Sequence, residues 1–315
     1  MKVVIFEEPE PASANARQRR LTISAVPQHL LETPWLEFQQ STALALCDSL
    51  ADELTRLCRR PTAGRVHDTR VALRRFFSVW GVLKEEGWQT KKFKRQVAAK
   101  LRELLKALGK LRDWDVNLEM GADFGLPERT LEKWAAKRKP VKKAVKRIIA
   151  GLDPQDILCR LRAYLVRYPD ELEKRSDNLE SMRASTYERL DRIVEEQEKE
   201  VRELEAKADG PEGLHRLRLG IKRWRYLMTE FFGLTNLELV RAQQLLGRLN
   251  DYERLETLLK NADAPELKER LKLERERLLK EFEQVRRQLP YGLRPVIVSV
   301  SPGEAPDASE PALLK

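Results

Sequence analysis

His67-Asp68-Thr69-Arg70-Val71-Ala72-Leu73-Arg74-Arg75 reads HDTRVALRR, and 148 residues further on His215-Arg216-Leu217-Arg218-Leu219-Gly220-Ile221-Lys222-Arg223 reads HRLRLGIKR. The histidine and all three later cations fall at the same places. A second pair of segments follows in the same order. Leu108-Gly109-Lys110-Leu111-Arg112-Asp113-Trp114 matches Leu246-Gly247-Arg248-Leu249-Asn250-Asp251-Tyr252 at an offset of 138. Two ordered segments with such similar offsets mark a duplicated unit that absorbed a change in loop length.

Outward from these motifs, apolar residues recur at the spacing of one helix face: Ala43, Leu46, Leu50, Leu54, Leu57; Val97, Leu101, Leu104, Leu108, Leu111; and Leu245, Leu249, Leu255, Leu258. No comparable stretch alternates at period two. The chain is therefore expected to be all-α. Proline- and glycine-bearing breaks at 61–64, 121–127, 151–154, Pro169, 210–213 and 262–265 leave about eight helices, several of them long. The expected body, about 34–289, divides near 170–177 into a first helical repeat over 34–170 and a second over 171–290. Residues 1–33 are expected to form a largely irregular N-terminal tail and 291–315 a C-terminal tail. Both are rich in proline, small residues and acids, so neither should enter a packed core.

On a wheel of about 100° per residue with His67 at zero, Arg74 falls near −20°, Arg70 near −60°, Ser78 near +20° and Gly81 near −40°. These residues form one narrow polar stripe. Val71 and Val82 border it on one side, Phe77 and Val66 on the other, so the stripe is sunk between apolar shoulders. In the second copy His215, Arg218, Lys222, Tyr226 and Thr229 occupy the same places. There Arg225 replaces Phe77 and adds a cation, while Glu230 replaces Val82. Partly desolvated cations cost several kcal/mol each unless they meet water, carboxylates or a bound anion. Arginine forks and lysine ammonium groups suit phosphate oxygens, and histidine can donate from a ring nitrogen. The competing reading neutralises these cations with Asp68, Asp113 and Asp251, and each histidine alone is as well read as a capping or core residue. Arg112 projects on the Leu101, Leu105, Leu108 side of its helix and can reach the stripe. Its counterpart is Asn250, so it ranks below the others.

Composition bounds the partners. The 315 residues hold 60 Lys and Arg against 50 Asp and Glu, a net charge of +10. That balance favours anionic partners without choosing among nucleic acid, lipid and phosphate polymers. The excess is local, with nine cations and one acid over 91–112 and eight cations and no acid over 133–147. Taken alone, either run is equally well a solvated helix face. Cys47, Cys58 and Cys159 have neither disulfide nor zinc spacing. With no apolar run of membrane-spanning length and no signal-peptide pattern, a cytoplasmic protein is expected.

At the His67 and His215 helices and the two Leu-Gly-x-Leu-x-Asp segments, the sequence resembles the CHAD family, the conserved histidine α-helical domain. The resemblance extends over most of the body. It implies two pseudo-symmetric four-helix bundles around a central basic groove or pore, and binding of inorganic polyphosphate. It makes His67, Arg70, Arg74, Arg75, His215, Arg218, Lys222 and Arg223 the binding candidates, beside Arg112 and Arg225 from the wheel. It also adds polyphosphate granules as a place to find the protein. Some family members carry a fused triphosphate-processing domain. There is no room for one here, so a stand-alone binding module is expected. The alternative partner is RNA or DNA, held through the same basic surface. Catalysis is not expected, because phosphoryl chemistry would call for clustered carboxylates or a glycine-rich phosphate loop, and the sequence shows neither. No cofactor or metal is expected.

Overall fold

The computed structural model describes residues 2–7, 22–23, 35–85, 91–173, 186–260, 265–292 and 294–299. Among them are nine helices of 20 residues or more: α1 (Trp35–Arg59), α2 (Ala63–Glu85), α3 (Ala99–Asp123), α4 (Glu128–Ala150), α5 (Pro154–Glu173), α6 (Thr186–Ala206), α7 (Gly210–Phe232), α8 (Leu237–Leu259) and α9 (Pro265–Arg286). A short turn over Lys91–Phe93 and a π-helical stretch over Lys94–Ala98 lead into α3. The body is all-α, as its 3.6-residue periodicity requires. Every residue of the first two apolar series is buried, from Ala43 to Leu57 and from Val97 to Leu111. In the third, Leu245, Leu249 and Leu255 are buried, and Leu259 takes the inward place expected for Leu258.

Helix ends follow local chemistry. Asp153 Oδ1 accepts the N–H groups of Gln155 (3.0 Å) and Asp156 (3.1 Å) to start α5, and Asn236 Oδ1 accepts that of Leu239 (2.9 Å) to start α8. Gly233, at φ 64°, closes α7 in the left-handed conformation, its N–H reaching the Thr229 carbonyl at 3.0 Å.

The break expected at Pro169 does not occur, since α5 continues to Glu173. Proline has no N–H to offer the carbonyl four residues back, that of Leu165. The Gln40 side-chain amide donates to this oxygen instead, at 2.8 Å. A partner 125 positions away satisfies what the local sequence leaves open. The break expected at 210–213 does occur but falls at 207–209, so that Gly210 already opens α7.

The chain ends also depart from the expected tails. Lys2–Glu7 (β1), Thr22–Ile23 (β2) and Arg294–Ser299 (β3) form an antiparallel sheet in the order β2-β1-β3, with Val3 opposite Val298 and Ile5 opposite Val296. Val3-Val4-Ile5-Phe6 and Val296-Ile297-Val298 are continuous β-branched and aromatic runs. They suit strands without showing period-two alternation. Tyr291 and Gly292, also placed in the expected tail, are tied to α6, with the Tyr291 hydroxyl donating to Glu205 and the Gly292 N–H to Glu198 at 2.8 Å. The other tail residues lie outside the described ones.

The chain forms two compact units. The N-terminal unit comprises Gln39–Asp177 and Asp251–Glu274, and the C-terminal unit comprises Met1–Phe38, Asn178–Asn250 and Arg275–Lys315. The end of α8 and the beginning of α9 thus belong with α1 to α5. In the N-terminal unit Trp80 stacks on Phe76 (5.6 Å between centroids) and on Phe93 (4.4 Å), which stacks in turn on Tyr164 (4.3 Å). In the C-terminal unit Gly220 lets α7 approach α6 closely. A Cβ there would come within 2.6 Å of Leu204 Cδ1. No described helix is long and apolar enough to cross a membrane.

Candidate functional site

In the C-terminal unit the two repeated motifs meet. His215 Nδ1 lies 2.9 Å from Asn250 Oδ1, joining the first residue of the α7 motif to the α8 motif. An amide oxygen only accepts, so Nδ1 carries the proton and Nε2 is the ring's remaining polar atom. One turn along α7, the Arg218 guanidinium lies over Gly247, whose added Cβ would stand 3.7 Å from Arg218 Nε. The glycine of the second motif thus gives the arginine of the first a flat seat. Arg218 is half-buried and its Nε is sealed from solvent.

Another turn on, Lys222 is 9% exposed, with Nζ 5.9 Å from the centroid of the Tyr226 ring. Water screens a buried ammonium little, so an anion brought to it interacts more strongly than with an exposed lysine. Arg225 reaches the same ring, its guanidinium carbon 4.4 Å from the centroid, while its Nε donates to Gln243 Oε1 at 2.8 Å. Arg218, Lys222 and Arg225 therefore form a ladder along one side of α7, with Tyr226 between the last two. Leu219, the counterpart of the bordering Val71, is 39% exposed.

Arg223 does not join them. It turns to Glu200 on α6 and forms an exposed ion pair. The wheel carried this information, since eight residues from His215 correspond to about 80°, well off the stripe.

The N-terminal unit repeats the arrangement in part. Arg70, the counterpart of Arg218, is also half-buried with its Nε sealed from solvent. Arg74 and Arg75 are half-buried and His67 is exposed. Val66 is buried, and Val71 and Phe77 are half-buried beside the stripe. Gly109 differs from Gly247 in having no atom within 4 Å of its would-be Cβ outside its own helix backbone. Arg112 bonds Glu119 of its own helix at 3.2 Å. It thereby spends part of its charge away from the stripe.

Asp113, the acid best placed by sequence to neutralise this stripe, is engaged by Arg254 at 2.5 Å. Arg102 was not singled out in the sequence. Its guanidinium sits 5.1 Å from the centre of the Phe77 ring, adding a cation at the shoulder. The 91–112 basic run was the only sequence signal for it. For Gln243, which aims Arg225, there was no signal at all, because its role depends on the packing of α8 against α7.

The family model for the CHAD domain matches residues 42–260. A search of curated proteins gave no match. Among solved structures, the chain is similar to the CHAD domain from the plant Ricinus communis, at 19% identity and a TM-score of 0.62, covering 85% of this chain and 96% of that one. It is also similar to PptA from Streptomyces chartreusis, at 14% identity and a TM-score of 0.61, covering 81% of this chain and all of that one. At these identities the structural likeness carries the fold alone.

Proposed function

The chain belongs to the CHAD domain family, and on that premise we propose that it binds inorganic polyphosphate without catalysing its breakdown, through the cation ladders of α2 and α7. The observation that carries this reading is the paired burial of Arg70 and Arg218. Both occupy the same place in the repeat, and both have Nε shut off from water. Around them stand Arg74 in one unit and the buried Lys222 with the aimed Arg225 in the other.

A linear phosphate polymer suits such a ladder. Successive stripe residues rise about 4.5 to 6 Å along the helix, close enough for one chain to touch several cations at once. Each contact is modest, but many contacts to one molecule reinforce each other, so long chains bind far more tightly than single phosphate. The stripes supply donors to phosphate oxygens, which is the equipment of binding. His215 acts chiefly as a positioning residue, since Asn250 holds its ring.

RNA is the competing ligand, because it offers the same phosphate contacts. Recognition of single strands draws on exposed aromatic platforms. Tyr226, the aromatic residue of the ladder, is 5% exposed and already faces Arg225 and Lys222. Competition decides between the two. Polyphosphate is expected to displace RNA of matched charge, and the reverse order would transfer the assignment to RNA. Time-dependent release of phosphate from polyphosphate by the purified protein would overturn the non-catalytic reading.

A further inference from the structure

The net charge of +10 is not shared between the two units. The N-terminal unit holds 36 Lys and Arg against 26 Asp and Glu, whereas the C-terminal unit holds 24 of each. Within the basic unit one helix stands out. Over 133–147, α4 has eight cations and no acid. Only Arg138 turns inward, pairing with Asp115 on α3 at 2.5 Å. Lys133, Lys137, Lys139, Lys142, Lys143, Lys146 and Arg147 are all exposed, and among the described residues none of them forms an ion pair. By contrast, α9 interleaves its charges, as in Lys268-Glu269-Arg270 and Glu274-Arg275-Glu276-Arg277. An exposed helix normally mixes signs in that way, which limits self-repulsion.

We propose that the outer face of α4 is a second docking strip, separate from the ladders, that holds long polyphosphate by charge alone. This rests on the reading of the chain as a polyphosphate binder and specifies where the polymer goes once it extends beyond the recessed cations. From residue 133 to 147 the strip runs about 21 Å along the helix axis. Its chemistry narrows the occupant. Trp134, Val145 and Ile149, the apolar side of α4, are already buried in the protein core. None of the exposed large hydrophobic residues, Val166, Leu219, Leu237 and Leu273, lies on α4. The strip therefore offers no ring for a nucleobase to stack on and no apolar face to enter a membrane. Six of its seven exposed cations are lysines, mobile point charges that follow a flexible phosphate chain without imposing a register. It works as an electrostatic track, and its contribution is the most salt-sensitive part of binding.

The test uses the full chain carrying K137Q/K139Q/K142Q/K143Q/K146Q, all exposed sites, with unchanged circular dichroism as the folding control. Affinity for a short and a long polyphosphate is measured from 50 to 300 mM salt. Removing the strip is expected to leave short-chain affinity within twofold and weaken long-chain binding at least tenfold. The slope of log K against log salt for long chains should flatten by about 2 to 3, at roughly 0.7 for each contact to a single-stranded polyanion. Unchanged long-chain affinity and slope would overturn the strip. So would a variant that loses RNA or anionic-vesicle binding while retaining long polyphosphate. R218A/K222A run in parallel separates the two ideas. Retention of short-chain binding by that variant sinks the ladder reading, whereas the lysine variant alone decides the strip.

Discussion

Gly247 offers a way to move Arg218 without deleting its charge. A Cβ at Gly247 would stand 3.7 Å from Arg218 Nε and 4.0 Å from Nη2, ordinary contact distances. Gly247→Ala should therefore leave the guanidinium in place. Because it replaces glycine in the middle of α8, it should also stabilise the protein by about 1 kcal/mol. For a unit of this size that corresponds to a rise in Tm of about 3 °C. Gly247→Leu carries three further carbons into the space Arg218 fills, so the guanidinium must leave its seat. A hydrogen bond to a charged group contributes about 1.5 to 3 kcal/mol, so polyphosphate affinity should fall roughly 10- to 100-fold. Gly109 is the internal control, because its would-be Cβ meets nothing within 4 Å beyond its own helix backbone. Gly109→Leu should leave affinity unchanged. Isothermal calorimetry at fixed salt, with thermal melts of each variant, reads all the quantities. If Gly247→Leu bound polyphosphate as tightly as the wild type, the seating of Arg218 would have no part in binding.

Two further outcomes follow from the geometry. Asn250→Ala and His215→Ala should each cost about 1 kcal/mol of stability, and the double variant should cost less than the sum of the two, because both remove the same 2.9 Å bond. Full additivity in chemical denaturation would contradict that pairing. The three thiols should separate by reactivity at pH 8. Cys159 is exposed, burial and the Asp153 charge raise the Cys58 thiol, and Cys47 is pushed up to about 12 by burial, with Asp48 adding to it. Maleimide should label Cys159 first, Cys58 more slowly and Cys47 only on unfolding. Equal labelling of Cys47 and Cys159 in the native protein would contradict the packing of α1.

What the sequence revealed and what it hid divide along physical lines. The interior of α1 and α3 was legible because burial imposes a period, and each residue of Ala43, Leu46, Leu50, Leu54 and Leu57 is indeed inside. The continuation of α5 through Pro169 was hidden, because the group that rescues the orphaned carbonyl is Gln40 on another helix. The strands at the chain ends were hidden because unbroken apolar runs carry no alternation to detect. At the site, the repeated cations were visible as types and spacings. Their division was not. Arg223 goes to Glu200 and Arg112 to Glu119, and the seat that Gly247 provides for Arg218 exists only once α8 packs on α7. In the sequence the second motif marks only the repeat. In the C-terminal unit it holds both the histidine and the arginine of the first.

The central claim is tested most directly by substituting the ladders together, R70A/R74A/R218A/K222A, and measuring long-chain polyphosphate binding at about 150 mM salt, where exposed charges are largely screened. The four side chains lie on the stripe of α2 and α7 and leave the buried leucine faces of both units intact. Helical content by circular dichroism should be retained and polyphosphate affinity should fall at least a hundredfold. A folded variant that binds polyphosphate with wild-type affinity would contradict the assignment of these ladders as the binding site.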